Sequence, residues 1–149
     1  MKIKKPLPPT YFTLSMIFIV IIHFIFPIIK FISFPWNLTG LIPIAIGSLL
    51  NLIADSSFKK INTTVKPFEE STALLTDGVF RISRNPMYLG MAFILSGISI
   101  LLGSLSPFFV ILIFMFAMDF VFIRKEEAML QKKFGTTWLE YKKTVRRWI

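Results

Sequence analysis

Residues Met87–Ile123 read MYLGMAFILSGISILLGSLSPFFVILIFMFAMDFVFI, thirty-seven residues in which Asp119 is the only charged side chain. As one unbroken helix this stretch would reach about 55 Å, nearly twice the roughly 30 Å hydrocarbon thickness of a bilayer. It therefore has to turn. Gly103-Ser104-Leu105-Ser106-Pro107 supplies the punctuation near its middle, since glycine, serine and proline interrupt helices. The reading is two membrane helices, 87–103 and 107–123, in a tight hairpin.

Polar residues of opposite character stand at the two ends of this hairpin. Arg81–Tyr88 reads R-I-S-R-N-P-M-Y on the N-terminal side, and Arg124-Lys125-Glu126-Glu127 follows on the C-terminal side. A hairpin returns both ends to one membrane face, so two arginines, an asparagine and a proline meet two adjacent carboxylates there. Pro86 lacks an N–H and holds Asn85 away from helical geometry, which suits the first turn of a helix. That turn is expected to leave backbone groups around Ser83–Asn85 available to a ligand. An ordinary helix boundary with snorkelling arginines and an interfacial tyrosine is the plainer reading of the same residues.

The composition extends the membrane reading to the whole chain. Of 149 residues, 54% are hydrophobic and 17 are phenylalanine, more than an aqueous core of this size needs. Two earlier apolar stretches, 11–29 and 38–54, are each long enough to cross, giving an all-α integral membrane protein with about four transmembrane helices. Pro27 stands near the end of the first, and Pro43 and Gly47 lie in the second. The first stretch follows a basic N-terminus without a small-residue cleavage site and reads as an uncleaved anchor. A connector, 55–86, and a tail, 124–149, complete a single domain, 1–149.

Charge fixes the expected orientation. Sixteen of the seventeen Lys and Arg residues fall in the N-terminal tail, the connector or the C-terminal tail, leaving Lys30 for the other side. The basic side is cytoplasmic, with both termini there. The net charge of +9 thus reads as topology signal and contact with anionic membrane lipid rather than nucleic-acid binding. In the tail, Glu126, Leu130, Phe134, Trp138 and Tyr141 recur at helical spacing among lysines, as in a basic amphipathic helix against the membrane surface, interrupted near Gly135. The chain has no cysteine and one histidine, His23, which excludes thiolate chemistry and histidine metal clusters. His23 reads as a packed or interfacial residue.

Three carboxylates carry the chemistry. Glu126 and Glu127 raise each other's pKa unless a cation is near, and they are also consistent with a solvated helix start. Asp119 lies seven residues before Glu126 and hence near the same helix face. A carboxylate in an apolar span points either to function or to a structural partner such as Arg81, Arg84 or Arg124.

The second half of the chain resembles the isoprenylcysteine carboxyl methyltransferase and phospholipid methyltransferase superfamily. The matching residues are T-T-V-K-P-F (Thr63–Phe68), T-A-L-L-T-D-G-V-F-R-I-S-R-N-P-M-Y-L-G (Thr72–Gly90), and the run from Glu126 to Trp148. The resemblance spans roughly residues 60 to 149. It implies methyl transfer from S-adenosylmethionine at the cytoplasmic membrane surface. The cofactor pocket it implies is built from Arg84, Asn85, Pro86, Tyr88, Glu126, Glu127 and Arg147, with Arg84 and Glu127 as candidate catalytic groups. Many members carry histidine where this chain has Asn85, so a base at that position is not expected here. Asn85 is similar to the common bacterial form, implying a bacterial or archaeal inner membrane.

The cofactor's cationic groups suit carboxylates and its carboxylate suits arginine. In-line transfer asks chiefly for positioning and desolvation, so no metal is expected. The acceptor is expected to be lipophilic, carrying a carboxylate, thiol or amine. Two rival readings are an NADPH-dependent membrane reductase of sterol-reductase-like architecture and a non-catalytic lipid-binding membrane subunit.

Overall fold

The structure, a computed structural model, describes residues 6–61 and 72–149. Lys2, Lys4, Lys5, Lys66 and the Thr63–Phe68 string lie outside the described residues. Five α-helices account for most of the rest: α1 (Pro8–Ile25), α2 (Leu41–Lys60), α3 (Pro86–Leu102), α4 (Ser106–Met118) and α5 (Arg124–Thr144). Short 3-10 turns precede α2 (Trp36–Gly40) and α3 (Gly78–Arg81), and a π turn, Asp119–Ile123, joins α4 to α5. No strand occurs among the described residues. Three helical stretches are long and apolar enough to cross a membrane: Pro8–Ile25, Trp36–Lys60 and the continuous Ser106–Thr144. The fourth apolar helix, α3, has 17 residues.

Each boundary has a local cause. α1 ends at Ile25, not at residue 29 as the sequence suggests, because Pro27 disfavours helical geometry at the residue before it. α2 runs past residue 54 to Lys60, so the connector begins later than Asp55. An Asp55–Lys59 ion pair of 2.6 Å spans one turn there. The Ser56 and Ser57 hydroxyls donate to Leu52 and Ile53 carbonyls at 2.8 Å, which keeps these polar residues within the helix. α3 begins at Pro86 and stops at Gly103, whose φ of 77° is left-handed. A side chain at Gly103 would also collide with the Ile32 carbonyl.

Helix α3 is central. It packs against α2 on one side and α1 and α4 on the other. On the α2 side, Gly40 faces Gly97 and Gly47 faces Gly90, and a Cβ on any of them would strike the opposite backbone or side chain. The seven-residue spacing in both helices puts the two close approaches on one seam. On the other side Ile19, Leu95, Met118, Phe122 and Ile123 are fully buried, with Phe114 beside them. Outward-facing side chains such as Phe24, Leu52, Ile113 and Phe116 remain more than 60% exposed, an apolar surface suited to lipid.

At one end of the bundle the α1–α2 loop pairs with the α3–α4 turn. Phe31 N donates to Gly103 O at 3.0 Å, and Leu105 N to Ile28 O at 3.0 Å. His23 Nδ1 lies 2.7 Å from the Ser104 hydroxyl at the same end, making it a packed histidine. The opposite end holds Asn85–Pro86, the π turn and the start of α5.

The tail departs from a helix resting on a membrane surface. α5 continues α4 without a break, and Gly135 kinks it with a φ of 51°. Its apolar residues are used within the chain: Trp138, Tyr141 and Val145 form a cluster joined by Leu74, Leu130 and Phe134.

Candidate functional site

Where α3 begins and α5 begins, five charged side chains form one chain of ion pairs. Arg84 Nη2 lies 3.0 Å from Glu127 Oε1, with side chains 7% and 9% exposed. Arg147 grips the same carboxylate with two bonds, Nε to Oε1 at 3.1 Å and Nη2 to Oε2 at 2.6 Å. Its remaining Nη1 donates to Asp119 Oδ1 at 2.7 Å, and Asp119 Oδ2 accepts from Arg124 Nε at 3.0 Å. Among the described residues, this chain of ion pairs joins three guanidiniums to two carboxylates. The Arg84 Nε is buried and has no hydrogen-bond partner among the described residues.

Glu126 turns away from this chain, although it adjoins Glu127. It accepts from the Tyr88 hydroxyl at 2.7 Å. Burial raises its pKa above the ordinary carboxylate value; the Tyr88 hydrogen bond opposes the rise and the neighbouring Glu127 adds to it. Arg147, by contrast, is held more firmly in its cationic form, first by its hydrogen bond to Glu127.

The C-terminal segment is strapped across the Asn-Pro turn. Arg84 N donates to Arg146 O at 3.0 Å. The Arg147 carbonyl accepts from the Ser83 hydroxyl at 3.1 Å and from Asn85 Nδ2 at 3.0 Å. Ser83 Oγ also accepts from Asn85 N at 3.0 Å. The backbone N–H groups of Ser83, Arg84 and Asn85, which the sequence suggested were available to a ligand, are taken by the chain itself. Pro86 is the buried first residue of α3, where its missing N–H is harmless.

Beneath the cluster, the Arg84 guanidinium lies 5.7 Å from the Trp138 ring centre. Trp138 Nε1 is a second buried donor without a partner among the described residues. Tyr141 donates its hydroxyl to Phe80 O at 2.6 Å, tying α5 to the 3-10 turn before α3. Burial, opposed by Arg84, pushes the Tyr141 pKa up to about 12.

The fold therefore brings Arg84, Asn85, Pro86, Tyr88, Glu126, Glu127 and Arg147 to one end of the bundle. Asp119 joins them through Arg147 and Arg124, not through Arg81 or Arg84. Arg81 stands apart, paired with Asp77 at 2.6 Å on the surface. An open groove lined by Thr76, Asp77, Arg81, Thr137, Glu140 and Tyr141 runs beside the cluster and includes none of its ion-paired residues. Sequence reasoning placed the Ser83 backbone at the site but missed its side chain, and missed Trp138. Ser83 is fully buried despite sitting among polar residues, and nothing in its sequence context signals that. Trp138 was legible as an apolar helix position, but its partner Arg84 lies far away in sequence.

A buried, ion-paired polar centre thus lies at one end of a bundle whose outer surface is apolar. Residues 36–137 match the family described as phospholipid methyltransferase, and the chain belongs to that family. It is an integral membrane protein of a methyltransferase family. The match starts well before residue 60, taking in all of α2, and ends ahead of Trp138, Tyr141 and Arg147. An uncharacterized protein of Haemophilus influenzae is 35% identical over 63 residues, which is 42% of this chain and all of that protein. No solved structure matches the chain.

Proposed function

We propose that the protein is an S-adenosylmethionine-dependent methyltransferase acting at the cytoplasmic membrane surface on a lipophilic acceptor bearing a carboxylate, thiol or amine. Support for this reading comes from two poles carried by the adjacent residues Glu127 and Glu126 at one end of the bundle. One is the arginine cluster, in which the buried Arg84 Nε has no partner among the described residues. The other is Glu126, which burial makes reluctant to ionise without a neighbouring cation. A zwitterionic ligand that also carries a sulfonium complements both poles.

The membrane arrangement in this reading has four crossings, with α3 and α4 as a hairpin and both termini cytoplasmic, in a bacterial or archaeal inner membrane. Lys30, the single basic residue expected on the far side, bridges to Ser104 at the opposite end of the bundle from the arginine cluster. That separation agrees with the positive-inside rule.

When bound, S-adenosylmethionine supplies an electrophilic methyl group that a nucleophile can take by in-line displacement. The residues of this chain would bind and orient. Arg147 and Arg84 suit the cofactor's carboxylate, because arginine presents parallel donors to a planar anion. Glu126 suits its cationic or hydroxyl groups. Asn85 and Tyr88 are assigned to the adenosine portion, Tyr88 through its ring, since its hydroxyl is engaged by Glu126. Glu127 is gripped by both arginines and holds them in place, so among the paired glutamates Glu126 is the one turned toward a ligand. Asn85 lacks a basic nitrogen, so a carboxylate or thiolate acceptor, which needs no base, fits best.

Calorimetry on the detergent-purified full chain tests the reading. Heat of binding with S-adenosylmethionine, and labelled methyl transfer into a lipid extract, are expected. Binding of NADPH instead favours a reductase, and binding of neither favours a lipid-binding subunit.

A further inference from the structure

Asp119 is hard to account for as a solvated charge. It opens the π turn directly after the apolar helix α4, its side chain is 14% exposed, and two arginines converge on it from different parts of the chain. A carboxylate placed there is unfavourable unless its partners matter.

The π turn explains how Asp119 reaches Arg147. On an ideal α-helix, at about 100° per residue, Asp119 would share a face with Glu126, about 20° away, while Glu127 would lie about 80° away. Yet Arg147 joins Asp119 to Glu127, not to Glu126. Between them, Arg124 N donates to Asp119 O, a span of five residues where an α-helix spans four. The turn absorbs one extra residue and moves the following face back by one position, about 100°. Glu127 is thereby aligned with Asp119, and Glu126 is released toward Tyr88.

We propose that Asp119 is a positioning residue for Arg147, brought into register by the π turn, and that it holds the Arg147 guanidinium in the orientation that receives the methyl donor's carboxylate. This rests on the functional reading above. Arg147 is fixed at both ends: Ser83 and Asn85 hold its carbonyl, while Asp119 and Glu127 hold its guanidinium. With Asp119 on Nη1 and Glu127 on Nε and Nη2, the guanidinium is held on both edges, and the second hydrogens of Nη1 and Nη2 are what it can offer a ligand. Losing Asp119 would free both the side chain and the strap of residues 145–149.

The test uses the full chain in detergent with Asp119→Asn, Asp119→Glu and Arg124→Gln. Two readouts are taken: the dissociation constant for S-adenosylhomocysteine, and the rate at which trypsin releases the Trp148–Ile149 dipeptide by cutting after Arg147. Asp119→Asn should weaken binding at least ten-fold and speed release at least ten-fold. Asp119→Glu should recover both to within about three-fold of wild type, and Arg124→Gln should stay within two-fold, because Arg147 keeps its anchor. Wild-type values for Asp119→Asn in both readouts, or equal effects from Arg124→Gln, overturn the proposal. If the wild-type protein binds no ligand, the functional reading fails, and the dipeptide rates alone decide whether Asp119 anchors Arg147.

Discussion

Replacing Glu127 with glutamine should separate the two adjacent glutamates sharply. Glu127 is 9% exposed and pairs with Arg84, which is 7% exposed, at 3.0 Å. At that separation and an effective dielectric of about 20, the gross attraction is about 5 kcal/mol. Arg147 bonds the same carboxylate twice but is 31% exposed and keeps Asp119, so its share is smaller. Glutamine preserves the shape and one acceptor oxygen, restoring about 1 kcal/mol. Its amide NH2, however, must face a guanidinium, and Arg84 is left buried without a counter-charge. Removing one partner of a buried pair destabilises by about 3–5 kcal/mol, so we expect about 3 kcal/mol for Glu127→Gln. For a chain of this size that is a fall in melting temperature of about 6–12 °C. Glu126→Gln loses no ion pair and can still accept from Tyr88, so it should stay within about 1 kcal/mol of wild type. Thermal melts of both variants in the same detergent decide this. Equal melting temperatures would refute the view that Glu127 is the hub of the ion-pair chain.

Other outcomes follow from the same geometry. Tyr88→Phe removes the hydroxyl that Glu126 accepts from and should destabilise by about 1–3 kcal/mol in the same melts. Because burial raises the folded-state pKa of Glu126, the folded protein holds that proton more tightly than the unfolded chain. Stability from this group is therefore present below the ordinary glutamate pKa and lost as pH rises through the raised value. The melting temperature of Glu126→Gln should accordingly gain on wild type as pH increases across that window. Gly47→Val drives a side chain into the Gly90 carbonyl and should cost about 1–3 kcal/mol, read by unfolding in mixed detergent. Gly103→Ala meets both a left-handed φ of 77° and the Ile32 carbonyl, and should lower stability by a similar amount, about 1–3 kcal/mol.

Much of this architecture could be read from residues alone, for physical reasons. The apolar run with Gly103 and Pro107 at its centre leaves few alternatives, because bilayer thickness and helix rise are fixed. The Asn85–Pro86 turn sets the start of α3 through a backbone rule independent of context. The meeting of Arg84 with Glu127 required only that both polar ends share a face; Arg147 was named through the family resemblance alone, and its grip on Glu127 depends on how the C-terminal segment folds back. What escaped the sequence depends on register and long-range packing. An ideal helical period pairs Asp119 with Glu126; the π turn pairs it with Glu127 instead, and no residue in Asp119–Ile123 announces such a turn. The apolar positions Trp138 and Tyr141 carry helical spacing, which says that a face is covered but not by what. Here the cover is Leu74, Val145 and the Arg84 side chain instead of lipid. α2 outlasts its apolar segment because Asp55, Ser56, Ser57 and Lys59 satisfy one another or the helix backbone locally.

The ion-paired end of the bundle, at Arg84–Tyr88 and Glu126–Glu127, is expected to embrace a sulfonium-bearing nucleoside. Ultraviolet crosslinking of labelled S-adenosylmethionine to the full chain, followed by peptide mapping, tests it most directly. Label is expected on peptides containing Tyr88 or the Glu126–Glu127 pair, reduced at least ten-fold by excess S-adenosylhomocysteine. Saturable label confined to the opposite end, around His23 and Ser104, or no competable label at all, would contradict it.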